Sequence, residues 1–228
     1  MANLNLEGIT KKKLFCTGPS LLSEYIANPD PCPLPMWASH IAKPDKKSSF
    51  DLDQYRKTHK EVETFVNPIF QNMLSSAYHY EPDTKKLKCV IKGKTIFGVP
   101  DLLATTKEKI FVCDIKTGER KITEHSLQVG TYAFMALAQG IAQDIGGLYL
   151  AYGSKKENLE IIELPNIEDI WTLERQVKAE ELMDLLEEED EPIPNPSENN
   201  CRYCKWSNRC NVAHKSTKKV EMFSVLKK

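Results

Sequence analysis

The stretch between Gly98 and Tyr132 constrains this chain more than any other. It holds Gly98-Val99-Pro100-Asp101, then Asp114-Ile115-Lys116, then Gln128 and Tyr132. Residues 86–92 (KLKCVIK) alternate as a strand does, and Gly93-Lys94 reads as a turn. Residues 95–104 (TIFGVPDLLA) read as a second strand. Thr106-Lys107-Glu108 turns again, and 109–116 (KIFVCDIK) is a third strand of apolar, β-prone residues. A meander of this kind pairs its second and third strands antiparallel, which brings Asp101 near Asp114. Asp114 and Lys116 are two apart and project from one face. Pro100 has no amide hydrogen to give a sheet, so an edge or a bulge is expected there. The chain turns at Thr117-Gly118 and enters a helix near Thr123 or Glu124. Gln128 and Tyr132 then share a helix face at i and i+4.

Two carboxylates can hold a hard divalent cation, and a lysine beside them can act on a water or a phosphate. That set suits hydrolysis of a phosphodiester. An isolated D-x-K is more often plain surface charge, and it is the ordered arrival of all the pieces that carries weight. Pro100-Asp101, Asp114-Ile115-Lys116 and the Gln128-x-x-x-Tyr132 spacing resemble the PD-(D/E)xK nuclease superfamily, in its RecB-like branch. The resemblance implies an α/β fold with a restriction-endonuclease-like core, a central mixed sheet flanked by helices. It also implies a Mg2+- or Mn2+-dependent deoxyribonuclease, an exonuclease acting on single-stranded DNA ends. Asp101, Asp114, Lys116, Gln128 and Tyr132 would be its catalytic residues, with the Ile115 carbonyl joining Asp101 and Asp114 at the metal. Asp114 stands where many relatives carry Glu, a shorter arm that would shift the cation.

RecB-like nucleases also carry a metal-ligating His before the first Asp. Residues 51–77 read as one long helix with an apolar stripe of Leu52, Tyr55, Val62, Val66, Ile69 and Met73. His59 falls on that stripe and is the expected ligand, with His79 the second choice. A core histidine with a backbone partner is the competing reading. His40 and His125 lie off the stripe. Pro68 is expected to kink the helix.

Cys201, Cys204 and Cys210 form C-x2-C-x5-C, and the remaining cysteines are Cys16, Cys32, Cys89 and Cys113. No signal peptide is visible, so a reducing, cytoplasmic setting is expected and disulfides are not. Three thiols so spaced read as metal ligands that need a distant fourth. Cys89 and Cys113 lie in strand patterns and read as buried apolar residues. Cys32, in Pro31-Cys32-Pro33 after a short helix pattern at Ser20–Ala27, is favoured over Cys16. This layout resembles the iron–sulfur RecB-like nucleases, among them the CRISPR-associated fourth Cas family and the AddB-type domains. There, four such cysteines hold a 4Fe-4S cluster. Zinc is the alternative, since thiolates suit both metals. The cluster would staple the chain ends into a cap.

At 228 residues the chain suits a single RecB-like nuclease domain. We expect a core over about 50–190, a cap from about 14–40 with 192–214, and a basic tail over 215–228. Strands at 145–152 and 158–164 and a helix over 167–189 complete the pattern. The net charge of −1 is unhelpful for binding a polyanion, but Glu187–Glu191 is an unbroken acidic run. Setting those five aside leaves 31 basic against 27 acidic residues. Arg120-Lys121 is the basic pair best placed to touch a phosphate. Tyr203 and Trp206 are candidates either for stacking on bases or for packing around the cluster. By resemblance the partners are DNA, CRISPR integrase proteins or a helicase, and a possible homo-oligomer. No apolar run approaches membrane-spanning length. A non-catalytic nucleic-acid-binding module with a structural metal is the competing function.

Overall fold

The computed structural model describes residues 18–41, 52–74, 79–80, 86–106, 108–187, 191–202, 204 and 206–213. Its centre is β5 (Lys109–Lys116), the third strand of the sequence reading. β4 (Leu102–Thr105) pairs with it antiparallel, Leu102 opposite Cys113. On its other side runs β6 (Asp144–Tyr152), parallel to it, with Lys116 opposite Tyr152. A short β1 (His79–Tyr80) and β7 (Glu160–Glu163) complete the sheet in the order β1-β4-β5-β6-β7. A parallel pair needs a crossover, and α4 (Ile122–Ala138) supplies it. Gly140, at φ 66°, ends that helix, its amide bonding back to Leu137.

Alternation along β5 divides the core in two. Phe111, Cys113 and Ile115 face α3 (Leu52–Leu74), against Val62, Val66, Phe70 and Leu74. Ile110 and Val112 face the other way, toward Leu127, Val129 and Ala133 of α4 and toward α1 (Pro19–Ala27). Each of these buried aliphatic or aromatic side chains contributes about 1.5–3 kcal/mol. The Ser23 hydroxyl donates to the Pro19 carbonyl inside α1, so this buried polar group is satisfied. α2 (Leu34–Ile41) adds Leu34, Met36, Trp37 and Ala38 to the same core.

Several expectations change in detail. The stretch 95–104 is two strands rather than one. β3 (Lys94–Gly98) pairs with β2 (Leu87–Ile91) in a separate two-stranded sheet, and the chain breaks at Val99-Pro100-Asp101 before β4 begins. The hairpin turn is Lys92-Gly93, one residue earlier than expected, because Lys92 and Gly93 hold φ 46° and 74°. In α3 the buried stripe continues from Val66 to Phe70 and Leu74, while Ile69 and Met73 are exposed. The helix runs through Pro68. The long C-terminal helix is α5 (Ile167–Ile170) and α6 (Leu173–Leu185), parted at Trp171-Thr172. The sheet and helices are otherwise the α/β arrangement expected. Among the described residues no helix is long and apolar enough to cross a membrane.

The charge runs also meet. Lys92 Nζ lies 2.6 Å from Asp184, and Lys94 Nζ lies 3.1 Å from Glu187, so the hairpin's lysines face the acidic end of α6. Glu188, Glu189 and Asp190 lie outside the described residues, as do Cys16, Tyr203 and the tail beyond Ala213.

β3 passes very close to α1 and α4 at Gly98. A Cβ there would stand 2.6 Å from Tyr132 Cε1 and 2.7 Å from Pro19 Cγ. We expect Gly98→Ala to cost about 1–3 kcal/mol through overpacking. A thermal melt lying below that of the wild type is the check, and an unchanged melt would mean the contact is loose.

Candidate active site

The site is built where β4 stops. Continuing the β4–β5 register past Leu102 and Cys113 puts Asp101 opposite Asp114 and Pro100 opposite Ile115. Proline has no amide hydrogen to offer, so the Ile115 peptide groups on that edge must find other partners. They find side chains. Asp101 Oδ2 accepts the Ile115 amide at 2.6 Å, and His59 Nε2, reaching over from α3, lies 3.3 Å from the Ile115 carbonyl. The same His59 nitrogen is 3.4 Å from Asp101 Oδ2. The Tyr55 ring lies 5.9 Å from that of His59.

Asp114 and Lys116 project from the opposite face of β5 to Ile115, toward α4. Asp114 is 2% exposed. Its Oδ2 lies against the Lys116 ammonium at 2.5 Å, a charge contact without hydrogen-bond alignment. Lys116 Nζ also donates to Gln128 Oε1 at 2.8 Å, and Gln128 Nε2 donates to the Tyr132 hydroxyl at 3.2 Å. A single line of contacts thus runs Asp114, Lys116, Gln128, Tyr132. All four sit on β5 or on the face of α4 that covers it.

The electrostatics follow from burial. Asp114 is pushed up to about 7, first by desolvation and second by the charge of Asp101, with Lys116 pulling it back. His59 is raised, chiefly by its hydrogen bond to Asp101. Burial likewise lifts the Tyr132 hydroxyl.

The structure therefore brings together His59, Asp101, Asp114, Ile115, Lys116, Gln128 and Tyr132. His79 lies in β1 and His40 in α2. His125 lies in α4, where its Nδ1 is 2.7 Å from the Tyr152 hydroxyl. Tyr152 escaped the sequence reading altogether. Arg120 is exposed and pairs with Glu160 at 2.8 Å, and Lys121 is 3.3 Å from Glu124.

Among the described residues, no three His, Cys, Asp or Glu side chains are arranged as a ready-made ion site. The donor set nevertheless fits a hard cation. Two carboxylates, one of them buried, stand beside an imidazole and a peptide carbonyl. Away from these carboxylates, Cys32, Cys201, Cys204 and Cys210 line one cavity of about 20 Å³. The Asn195 amide donates to Cys32 Sγ at 3.3 Å and the Trp206 amide to Cys204 Sγ at 3.4 Å. Trp206 is fully buried and donates its indole hydrogen to Ser39, so it packs rather than stacks on a base. Cys89 and Cys113 are buried in strands, as expected.

A family model described as the PD-(D/E)XK nuclease superfamily matches residues 36–211. The chain belongs to the PD-(D/E)XK nuclease superfamily. Its members are generally metal-dependent nucleases, typically using Mg2+ or Mn2+, with nucleic acid as substrate. Among solved structures, one described as the crystal structure of SSO0001 is similar over 90% of this chain and 91% of its own, at 14% identity and a TM-score of 0.47. No curated protein matches this PD-(D/E)XK chain.

In this nuclease-superfamily chain a carboxyl raised to about 7 favours folding only while it is protonated. The folded state binds the extra proton between the ordinary carboxylate range and pH 7, so Asp114 lowers stability as pH rises through that window. Without divalent metal, we expect Asp114→Asn to melt above the wild type at pH 8 and to lose that advantage at pH 4. Added Mg2+ should narrow the gap at pH 8. Melts of both proteins across this range, with and without Mg2+, test it. A gap that does not change with pH would show that Asp114 is not held protonated.

Proposed function

We propose that this chain is a RecB-like nuclease that hydrolyses DNA phosphodiesters with Mg2+ or Mn2+, working as an exonuclease on single-stranded ends. The observation that carries it is the convergence of His59 and Asp101 on the Ile115 peptide, next to Asp114, with Lys116 held between Asp114 and Gln128. The reading assigns Asp101, Asp114, His59 Nε2 and the Ile115 carbonyl to the cation. When bound, the cation supplies Lewis-acid polarisation of a phosphate oxygen and offsets the two carboxylates.

The rest belongs to the chain's own residues. Lys116 carries a fixed positive charge beside the reacting phosphate and orients the attacking water. Gln128 holds the ammonium in place through its carbonyl, and Tyr132 holds the Gln128 amide. His59 is kept in register by the Ile115 carbonyl and Asp101.

We take residues 1–228 as one RecB-like domain with a core over about 50–190, a cap from about 14–40 and 192–214, and a tail over 215–228. The cap's four cysteines share one cavity, and two of their sulfurs accept backbone amides, an arrangement that suits thiolates. The reading assigns them a 4Fe-4S cluster, with zinc as the alternative. Thiolate ligation of this kind belongs in a reducing, intracellular compartment. In this reading the substrate is an exposed single strand or one delivered by a helicase. Trimming beside integrase proteins in CRISPR spacer acquisition, and phage or cellular DNA repair, are the two settings that fit.

Labelled single-stranded DNA with Mg2+ or Mn2+ tests the activity. Cleavage should fall at least about 10²-fold in Lys116→Ala and in Asp101→Ala. Equal inactivity of wild type and variants on single- and double-stranded DNA would move the chain to the non-catalytic binding reading.

The cap has its own test. Protein purified without oxygen should carry iron and acid-labile sulfide, with visible absorbance lost in Cys204→Ser. Stoichiometric zinc without iron would replace the cluster with a zinc staple, and no metal at all would remove the cap from the reading.

A further inference from the structure

α4 carries Gln128 and Tyr132, yet its start has no ordinary cap. Lys121, at the N-cap position, makes no side-chain capping bond. The first turn of any helix leaves amides that need acceptors. A residue from another element ties this turn down through a side chain. The Tyr152 hydroxyl, at the end of β6, lies 2.7 Å from His125 Nδ1. His125 is in the first turn of α4, and its own amide bonds to the Lys121 carbonyl at 2.9 Å. Both side chains are buried, Tyr152 at 6% and His125 at 8% exposure. Burial and the charges of Lys116 and Lys121 push His125 down to about 4, so the ring is neutral at ordinary pH. A neutral ring can accept at Nδ1, and the Tyr152 hydroxyl is then its donor.

Tyr152 is fixed on its other sides as well. It stands opposite Lys116 on β5 and opposite Glu160 on β7. The Arg120 guanidinium covers its ring at 5.2 Å and pairs with Glu160. From His125 it is one helical turn to Gln128, on the same side of α4. Gln128 reaches back to Lys116, the strand neighbour of Tyr152. Strand register joins Lys116 to Tyr152, a hydrogen bond joins Tyr152 to His125, one helical turn separates His125 from Gln128, and Gln128 bonds Lys116.

Resting on the nuclease reading, we infer that Tyr152 and His125 are positioning residues, which anchor the first turn of α4 to β6 and so set where Gln128 meets Lys116. Neither touches the proposed metal or the phosphate. Their effect is confined to the placement of the Lys116 ammonium, where a misplacement of about 1 Å can cost on the order of 10²-fold in rate.

The experiment compares Tyr152→Phe, His125→Leu and His125→Asn with wild type on single-stranded DNA. Tyr152→Phe keeps the ring under Arg120, and His125→Asn keeps a short polar acceptor near Nδ1. Tyr152→Phe and His125→Leu should lower kcat about ten- to a hundred-fold with KM within about two-fold of wild type. His125→Asn should restore most of the loss. In a double variant with Gln128→Ala, Tyr152→Phe should add little further loss, because both act on Lys116. Hydrogen exchange of peptides spanning 119–132 should speed up in Tyr152→Phe, whether or not the wild type cleaves DNA. Inactive wild type with faster exchange in the variant would remove the nuclease reading but keep the anchor. Unchanged exchange, full additivity with Gln128→Ala, or kcat at the wild-type level would overturn the anchor itself.

Discussion

The site depends on the loss of one strand pairing. β5 is hydrogen-bonded along its length on the β6 side, but on the β4 side the ladder ends where Pro100 would fall opposite Ile115. A buried peptide group without a partner is costly, so the fold must satisfy Ile115 by other means. Asp101 and His59 do so from two different elements, and in doing so they are drawn to one point beside Asp114. A motif of proline followed by aspartate is thus a structural instruction as much as a chemical one. The proline stops the sheet, and the aspartate takes the amide that the sheet no longer bonds.

The two faces of β5 then divide the labour. One face, through Ile115 and Cys113, packs on α3 and brings His59 with it. The other, through Asp114 and Lys116, meets α4 and the Gln128–Tyr132 pair. Burial raises the proton affinity of Asp114, and the ammonium of Lys116 offsets only part of that effect. The protein thereby holds a carboxyl where burial opposes its charge, as groups at functional sites often are.

Much of this was legible in the sequence, and the reasons for the misses are specific. The third strand and the helix after it have unambiguous periods, so Asp114, Lys116, Gln128 and Tyr132 were placed on the elements that hold them. His59 was found from the phase of α3, although the stripe beyond Val66 slipped. Steps of three and four are both helical, and only packing on Phe111 and Tyr149 selects Phe70 and Leu74 over Ile69 and Met73. Residues 95–104 were read as one strand because β-prone residues flank Pro100 on both sides. The Tyr152–His125 pair could not be read, since neither residue forms a motif and their meeting depends on the β5–β6 register. The nearest available signal was His125 at three residues before Gln128. The approach of Lys92 and Lys94 to the end of α6 was equally hidden, because charge runs carry no information about which run they face.

The parallel pairing of β5 with β6 has a consequence for the order of assembly. In chain order, Asp101, Asp114 and Lys116 precede the α4 and β6 that cover them. Closing that crossover is a long-range step that local contacts cannot complete. Until Tyr152 has been made, Lys116 has no β6 beside it, and His125 in the first turn of α4 has no hydroxyl to meet. A nascent chain thus carries the acidic and basic groups of the centre without their alignment.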